Sequence, residues 1–207
     1  MLRPTTMADA EPLLAAILAS LPELRAYMPW SHLPQSPQAQ LERLRTVEAD
    51  YWAARQLGMA LVRESDGALL TVIGLHPRVP HNPMGLELGF WCATPYARRG
   101  YTTLASKVAT LYAFDKLAAT RLQVLCDLSN AGSTRVIEKC GFRPEGTLRN
   151  ALPPATPEQA ANGLRISGAS RIFALIPEDL AALPWVDELR RALTYVNLAG
   201  YELRGDA

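Results

Sequence analysis

The chain is poor in the features that mark several protein classes. It has no run of about 18 apolar residues, so no segment reads as a membrane-spanning helix. Its first residues lack the charged-then-apolar order of a secretion signal, so a cytoplasmic location is the expectation. Only three cysteines occur, Cys92, Cys126 and Cys140, an odd number without metal-ligand spacing. They read as reduced, mostly buried thiols, and no metal site is expected. Net charge is only +1, so no overall field points to nucleic acid or membrane, and any anion site must be local. Charged residues are scarce at 20% while apolar ones reach 49%, which excludes a disordered chain. At 207 residues the chain suits one domain with a sizeable core, with room for an appendage. No repeat and no low-complexity tract is present.

What is there is a change of period along the chain. Leu2-Arg3-Pro4 suits a short edge strand. Thr6 to Glu11 resembles a helix start, and Leu13, Leu14, Ile17, Leu18 and Leu21 recur at helical spacing. A second short helix runs from Glu23 to Trp30, followed by a proline-rich loop holding His32. Gln38 to Gln56 reads as a longer helix with Leu41, Leu44, Val47, Tyr51 and Trp52 on one side. From Gly58 the period becomes that of strands: 59–63 and 68–75 form a hairpin, and 85–93 is the next strand. Between them, 76–83 carries prolines and is a loop. On the 85–93 strand, Leu86, Leu88 and Phe90 face one way, and Glu87, Gly89 and Trp91 the other. A helix over 102–117, with Leu104, Val108, Leu111 and Ala113 to Phe114 as its buried side, leads to a strand over 121–127. Asn130 to Cys140 is a short helix closed by Gly141 and Phe142. Strands follow over 142–149 and 164–176, separated by a Pro- and Ala-rich loop over 151–162, and 177–196 is helical. This order implies an α/β fold, a mixed sheet with helices on both faces and a parallel crossover at its centre.

The turn Pro95-Tyr-Ala-Arg-Arg-Gly-Tyr-Thr102 lies between a strand and a helix. Gly100 permits close approach of a ligand, and the N–H groups from Arg98 to Thr102 can converge on one anion, with Arg98 and Arg99 adding charge. Taken alone, it also fits a solvated Arg-Arg pair. Its place at the end of a central strand favours the anion.

Beyond that turn the motifs become linked: ELGFW, then P-x-x-x-x-GYTT, YAF, R-L-x-V, N-x-x-S-x-R-V-x-EKCGF and EG-x-LR, over residues 87–149. In this order and spacing the chain resembles the GNAT superfamily of N-acetyltransferases, in its ribosomal-protein N-terminal acetyltransferase (RimJ/RimL-like) branch. The resemblance extends loosely over 1–75 and does not cover 177–207. It implies the GNAT fold, with a V-shaped split between two parallel central strands, and acetyl-CoA as cofactor. Pantetheine would pair with the first strand near Phe90, Trp91 and Cys92, and the pyrophosphate would sit on Arg98, Arg99, Gly100, Tyr101 and Thr102. Domain 1–176 would be the acetyltransferase, and 177–207 a helical extension packed on it or a means of forming a homodimer. The chain departs from the pattern at Ala97, Arg98 and Thr102 in the turn, and Leu104 stands where the branch often has Glu.

Acetyl transfer needs a neutral amine, a donor for the carbonyl oxygen and a proton or hydrogen bond for the departing thiolate. Glu87 is the candidate base, directly or through water; a strand-edge carboxylate paired with an arginine is the alternative. A backbone N–H near Trp91 or Cys92 is the oxyanion donor that the resemblance implies. Many superfamily members protonate the thiolate with a Tyr seven residues after the helix-opening Asn; here that residue is Ile137. The branch points instead to Ser133, whose hydroxyl can donate to sulfur, the alternative being a first-turn serine satisfied by backbone. Asn130 can cap its helix or contact pantetheine amides. His32, His76 and His81 read as solvated loop residues, while Tyr27, Trp30 and His32 are candidates to line the acceptor pocket. Trp52 and Trp185 read as packing residues, and Glu145 and Arg149 as rim candidates. Cys92 has no adjacent base, which favours direct transfer over an acyl-enzyme. The first acceptor expected is a protein or peptide N-terminal amine. A small-molecule amine, or a non-catalytic acyl-CoA-binding module, are the other readings.

Overall fold

In the computed structural model, which describes residues 1–152 and 154–195, alternation of side chains along the strands builds a seven-stranded sheet with a core on each face. Its order is β1-β2-β3-β4-β5-β7-β6. The strands are β1 (Leu2–Pro4), β2 (Leu57–Val62), β3 (Leu69–His76), β4 (Gly85–Cys92), β5 (Arg121–Asp127), β6 (Arg143–Arg149) and β7 (Ala169–Leu175).

One face is covered by α1 (Ala10–Leu18), α2 (Leu21–Tyr27) and α3 (Pro37–Trp52). Leu13, Ile17, Leu24 and Leu44 form the helical stripes, and they bury against Ala60 and Leu69 of the sheet. Ser36 caps α3 by accepting from the Ala39 N–H at 3.2 Å, with Pro37 at the first helical position. The other face carries α4 (Tyr101–Asp115) and α5 (Ala131–Cys140). Ile73, Leu75, Leu88, Leu122 and Val124 meet Ala105, Ala109 and Leu111 of α4 and Ile137 of α5 there. Each fully buried Leu or Ile contributes about 1.5–3 kcal/mol.

The buried side of α4 includes Leu111 and Ala113, as expected, but differs at Leu104. Leu104 is exposed, and Thr102, Ala105, Ser106, Ala109 and Ala113 face inward. Leu104 lies about 200° around the helix from Thr102. Small side chains bring α4 close to the sheet, and size alone was a poor guide to its inner face. Trp52 is 57% exposed at the end of α3, edge-on to Tyr51, which takes the inward position. Residues 151–162, expected as a loop, contain α6 (Pro157–Ala161). Its Thr156 and Gln159 form a reciprocal capping box, a signal present in the sequence.

β7 is shorter than the strand expected over 164–176, and it inserts between β5 and β6, antiparallel to both. The C-terminal segment forms two short helices, α7 (Pro177–Ala181) and α8 (Val186–Ala192), broken near Pro184. Leu180 and Val186 enter the α4-side core, and Leu183 packs where a Cβ on Gly141 would stand. Gly141 itself is left-handed, φ 90°, and closes α5 as its sequence suggested. Residue 196, the expected end of this helical stretch, lies outside the described residues.

The feature that positions the site is a partial pairing. β4 and β5 run parallel, but their register covers only Gly85↔Arg121, Leu86↔Leu122 and Glu87↔Gln123. β3 holds the outer edge of β4 up to Thr71↔Cys92, and β7 holds that of β5 up to Asp127↔Ser170. Beyond Glu87 each strand follows its outer neighbour, and the inner edges part in a V.

Candidate functional site

The V opens into a cavity of about 650 Å³. β4 supplies Glu87, Leu88, Gly89, Phe90 and Trp91, and β5 supplies Val124 to Asp127. Tyr27 and Trp30 enter from α2 and the turn after it, Arg43 and Val47 from α3, and Asn130 and Ser133 from the start of α5. Glu87, Phe90, Trp91, Asn130, Ser133, Tyr27 and Trp30, all expected site residues, therefore meet around one space. His32 does not line it. Its Nε2–H donates to the Arg25 carbonyl at 2.9 Å, which ties the ring to the back of α2. Glu145 binds Arg121 at 2.9 Å and does not rim the cavity, nor does Arg149.

Glu87 has one side-chain contact among the described residues, a long one of 3.4 Å from Gln123 Nε2. Directly across on β3 stands His76, in the register His76↔Glu87. The sequence reading placed His76 in a solvated loop, and the structure corrects this. It is the last residue of β3, and its Nδ1–H donates to Gln56 Oε1 at 3.0 Å. Burial first, then the nearby Arg78 charge, pushes its pKa down to about 4, so the imidazole is neutral at physiological pH. The cross-strand pair Gly74↔Gly89 makes room for the ring: a Cβ on Gly74 would collide with it. Its position in the period-2 pattern after Leu75 was the available signal, masked by Pro77.

Asn130 caps α5 by accepting from the Ser133 N–H at 3.0 Å. That bond sets the first turn of the helix and places Ser133 on the cavity wall. Asp127, which the sequence reading passed over, anchors this corner. Its Oδ1 accepts from the Ser129 N–H (2.9 Å) and hydroxyl (2.7 Å), and its Oδ2 from the Ser167 N–H (2.8 Å) and hydroxyl (3.0 Å). Burial alone would raise its pKa, but these donors outweigh it and hold the carboxyl below the usual carboxylate range. The Tyr27 hydroxyl donates to the Ser129 carbonyl at 3.1 Å, joining α2 to the same loop.

The turn after β4 lies outside the cavity wall, at the far end of the strand. Arg98 and Gly100 are both left-handed, φ 62° and 84°, and Gly100 opens α4, whose first N–H groups have no acceptor within the helix. Arg98, Arg99 and Gly100 are exposed, and open space lies where a Cβ on Gly100 would stand. Tyr101 packs partly against the core. The Thr102 hydroxyl donates to Thr71 (3.3 Å), which donates to the Trp91 carbonyl (2.6 Å), so only the Thr102 backbone is free for a ligand. Cys92 turns its thiol to the carbonyls of Leu70 (3.6 Å) and Ala93 (3.5 Å). Burial pushes that thiol's pKa up, only partly offset by Thr102, and a nucleophile needs the reverse.

A family model described as the acetyltransferase (GNAT) domain matches residues 1–143. The chain belongs to that family. YdaF of Bacillus subtilis (strain 168), provisionally named a ribosomal N-acetyltransferase, is 33% identical over 87 residues, 42% of this chain. The match spans 47% of that relative, about half its length. Mycobacterium smegmatis RimJ, solved in complex with CoA-disulfide, superposes with a TM-score of 0.75 at 21% identity, covering 92% of this chain and 88% of that one. Ribosomal-protein-S5-alanine acetyltransferase from Vibrio fischeri gives a TM-score of 0.73 at 17% identity, covering 86% and 93%. At these identities the likeness speaks for the fold.

GNAT acetyltransferases use acetyl-CoA, and the residues here fit that group on three counts. The edge of β4 beyond Glu87 has no strand partner toward β5 among the described residues. The turn at 98–102 is exposed, left-handed at two positions and flanked by arginines. Ser133 lines the cavity, and the helix cap engages its backbone N–H and not its hydroxyl.

Proposed function

We propose that this GNAT acetyltransferase moves an acetyl group directly from acetyl-CoA to a primary amine, with a protein or peptide N-terminus as the first acceptor class. The observation that carries the reading is the end of β4–β5 pairing at Glu87↔Gln123, which leaves a free strand edge on a cavity shared by Glu87 and Ser133. In this reading residues 1–176 are the transferase domain and 177–207 its extension.

Acetyl-CoA supplies an acyl carbon activated as a thioester, with a thiolate as leaving group. The free edge of β4 near Phe90, Trp91 and Cys92 binds the pantetheine amides, joined by Asn130. The N–H groups of 98–102, with Arg98 and Arg99, hold the pyrophosphate. Glu87 takes the proton of the incoming ammonium, directly or through water, and frees the nitrogen lone pair. Neutral His76 beside it adds no charge to repel that cation. A β4 N–H near Trp91 or Cys92 donates to the carbonyl oxygen as it gains charge. The Ser133 hydroxyl donates to the departing sulfur. Tyr27 and Trp30 wall the acceptor side, and Cys92, with its raised pKa, takes no covalent part.

The test is thiol release and product mass with acetyl-CoA and three acceptor sets: peptides with free N-termini, the same peptides blocked, and small amines. Acetylation confined to free N-termini is the expected result. Turnover on small amines alone moves the acceptor to that class. Tight acetyl-CoA binding without turnover on any acceptor overturns the transferase reading in favour of a sensing module.

A further inference from the structure

Arg43 projects from α3 into the cavity, its guanidinium 5.0 Å over the ring of Trp30. It is half-buried, and burial lowers its pKa from the ordinary arginine value. Three other half-buried arginines each hold a carboxylate: Arg3 holds Asp9, Arg63 holds Asp66 and Arg121 holds Glu145. Arg43 makes no such pair among the described residues. Taking an unpaired cation out of water is unfavourable, so a site that keeps one points to an anion brought by the ligand.

The cavity's own carboxylates do not fill that role. Both Asp127 oxygens are occupied by Ser129 and Ser167. Glu87 forms no ion pair with Arg43 and contacts Gln123 instead. Arg78 also lines the cavity, at the His76 end of β3 and not on α3, and it too has no carboxylate partner among the described residues. Trp30 leans on Trp91 of β4, ring centroids 6.1 Å apart, which fixes the surface against which the guanidinium lies. No side-chain hydrogen bond from the guanidinium occurs among the described residues, and its planar fork of N–H donors suits a bidentate acceptor.

Building on the transferase reading, we propose that the acceptor is an amine that also carries a carboxylate, bound by Arg43 beside Trp30 while its amine reaches Glu87. The carboxylate comes either from an acidic side chain near a peptide N-terminus or from a small amino acid, and the chemistry of recognition is the same.

Matched acceptors test this with the full chain. One set is short peptide amides with Asp or Asn at the second or third position; the other is free amino acids and their amides. Each is measured by kcat/KM for acetyl transfer, and separately by thermal shift in the presence of CoA, which needs no turnover. The wild type should favour the carboxylate member of at least one set by about tenfold or more. Arg43→Gln should reduce that ratio to about one, and Arg43→Lys, which keeps charge without the fork, should retain part of it. A preference among the peptides identifies an acidic side chain as the source; one among the amino acids identifies a free small molecule. No preference in either set, or a preference that survives in Arg43→Gln, overturns the proposal. If no acceptor turns over, the transferase reading fails, while the thermal shifts of wild type and Arg43→Gln still decide the role of Arg43.

Discussion

Replacing Asp127 with Asn keeps the side chain's shape and converts one of its two acceptors to a donor. In the native protein, Oδ1 serves the Ser129 N–H and hydroxyl, and Oδ2 serves those of Ser167. Whichever way the new amide faces, one backbone N–H and one hydroxyl lose their acceptor. The hydroxyl can rotate toward another partner. The N–H cannot, and Asp127 is only 7% exposed, so little water reaches it. A buried unpaired donor costs about 1–3 kcal/mol. At about 2–4 °C per kcal/mol for a chain of this length, the midpoint of thermal unfolding should fall by about 2–12 °C. The pH dependence has a definite sign. The Asp127 pKa is lowered on folding, so its contribution is present above the unfolded-state value and is lost as pH falls through the folded-state value. Circular-dichroism melts of both proteins from neutral to acid pH should show the gap narrowing on acidification. The activity should follow, since the same loop sets Asn130 and Ser133, and kcat should fall more than KM rises. Equal midpoints at neutral pH, or a gap that does not narrow with acid, refute the anchoring role of this carboxylate.

Glu87→Gln should lower kcat by about 10²–10⁴-fold with acetyl-CoA affinity kept, and should recover rate as pH rises and the acceptor amine loses its proton unaided; unchanged turnover at neutral pH removes Glu87 from the base role. Ser133→Ala should lower kcat by about tenfold or more while the Asn130 cap, made to the backbone N–H at 3.0 Å, and with it the thermal midpoint, stay in place. A drop in stability without a drop in kcat would make Ser133 structural. His76, held at a pKa of about 4 against the ordinary histidine value of about 6.5, resists protonation in the folded state while the unfolded chain accepts it. Stability should therefore fall with pH between about 6.5 and 4. Urea unfolding at about pH 5 and about pH 7 should differ less for His76→Gln than for wild type, and an identical difference contradicts a buried neutral imidazole.

The parts of this protein that were legible in its sequence are those written in neighbouring residues. Gly100 and Gly141 sit at left-handed positions, φ 84° and 90°. Asn130 caps its helix, and Leu122, Val124 and Cys126 alternate inward along β5 as their spacing indicated. The inner face of α4 was read correctly at Leu111 and Ala113 but not at Leu104, where hydrophobic size misled and close packing against the sheet selected Ala105 and Ala109. The site was half legible. Glu87 and Ser133 stood out through linked motifs, and the structure brings both to one cavity. His76, Asp127 and Arg43 did not stand out. A histidine beside a proline looks like a loop residue, an aspartate at a strand end looks solvated, and an arginine on an amphipathic helix looks exposed.

By itself the sequence determined most of the elements, the caps at Asn130 and Gly141 and the left-handed turn at Gly100, because each depends on dihedral preferences and side-chain periodicity within a few residues. Tertiary structure alone decided that β7 would lie between β5 and β6 and that β4 and β5 would part after Glu87↔Gln123. It also decided that α3, β3, β4 and β5 would bring Arg43, His76, Glu87 and Asp127 around one space. Those outcomes rest on register and packing between segments far apart in the chain, where the partner that wins is set by the whole sheet and its two cores, and no local pattern records it.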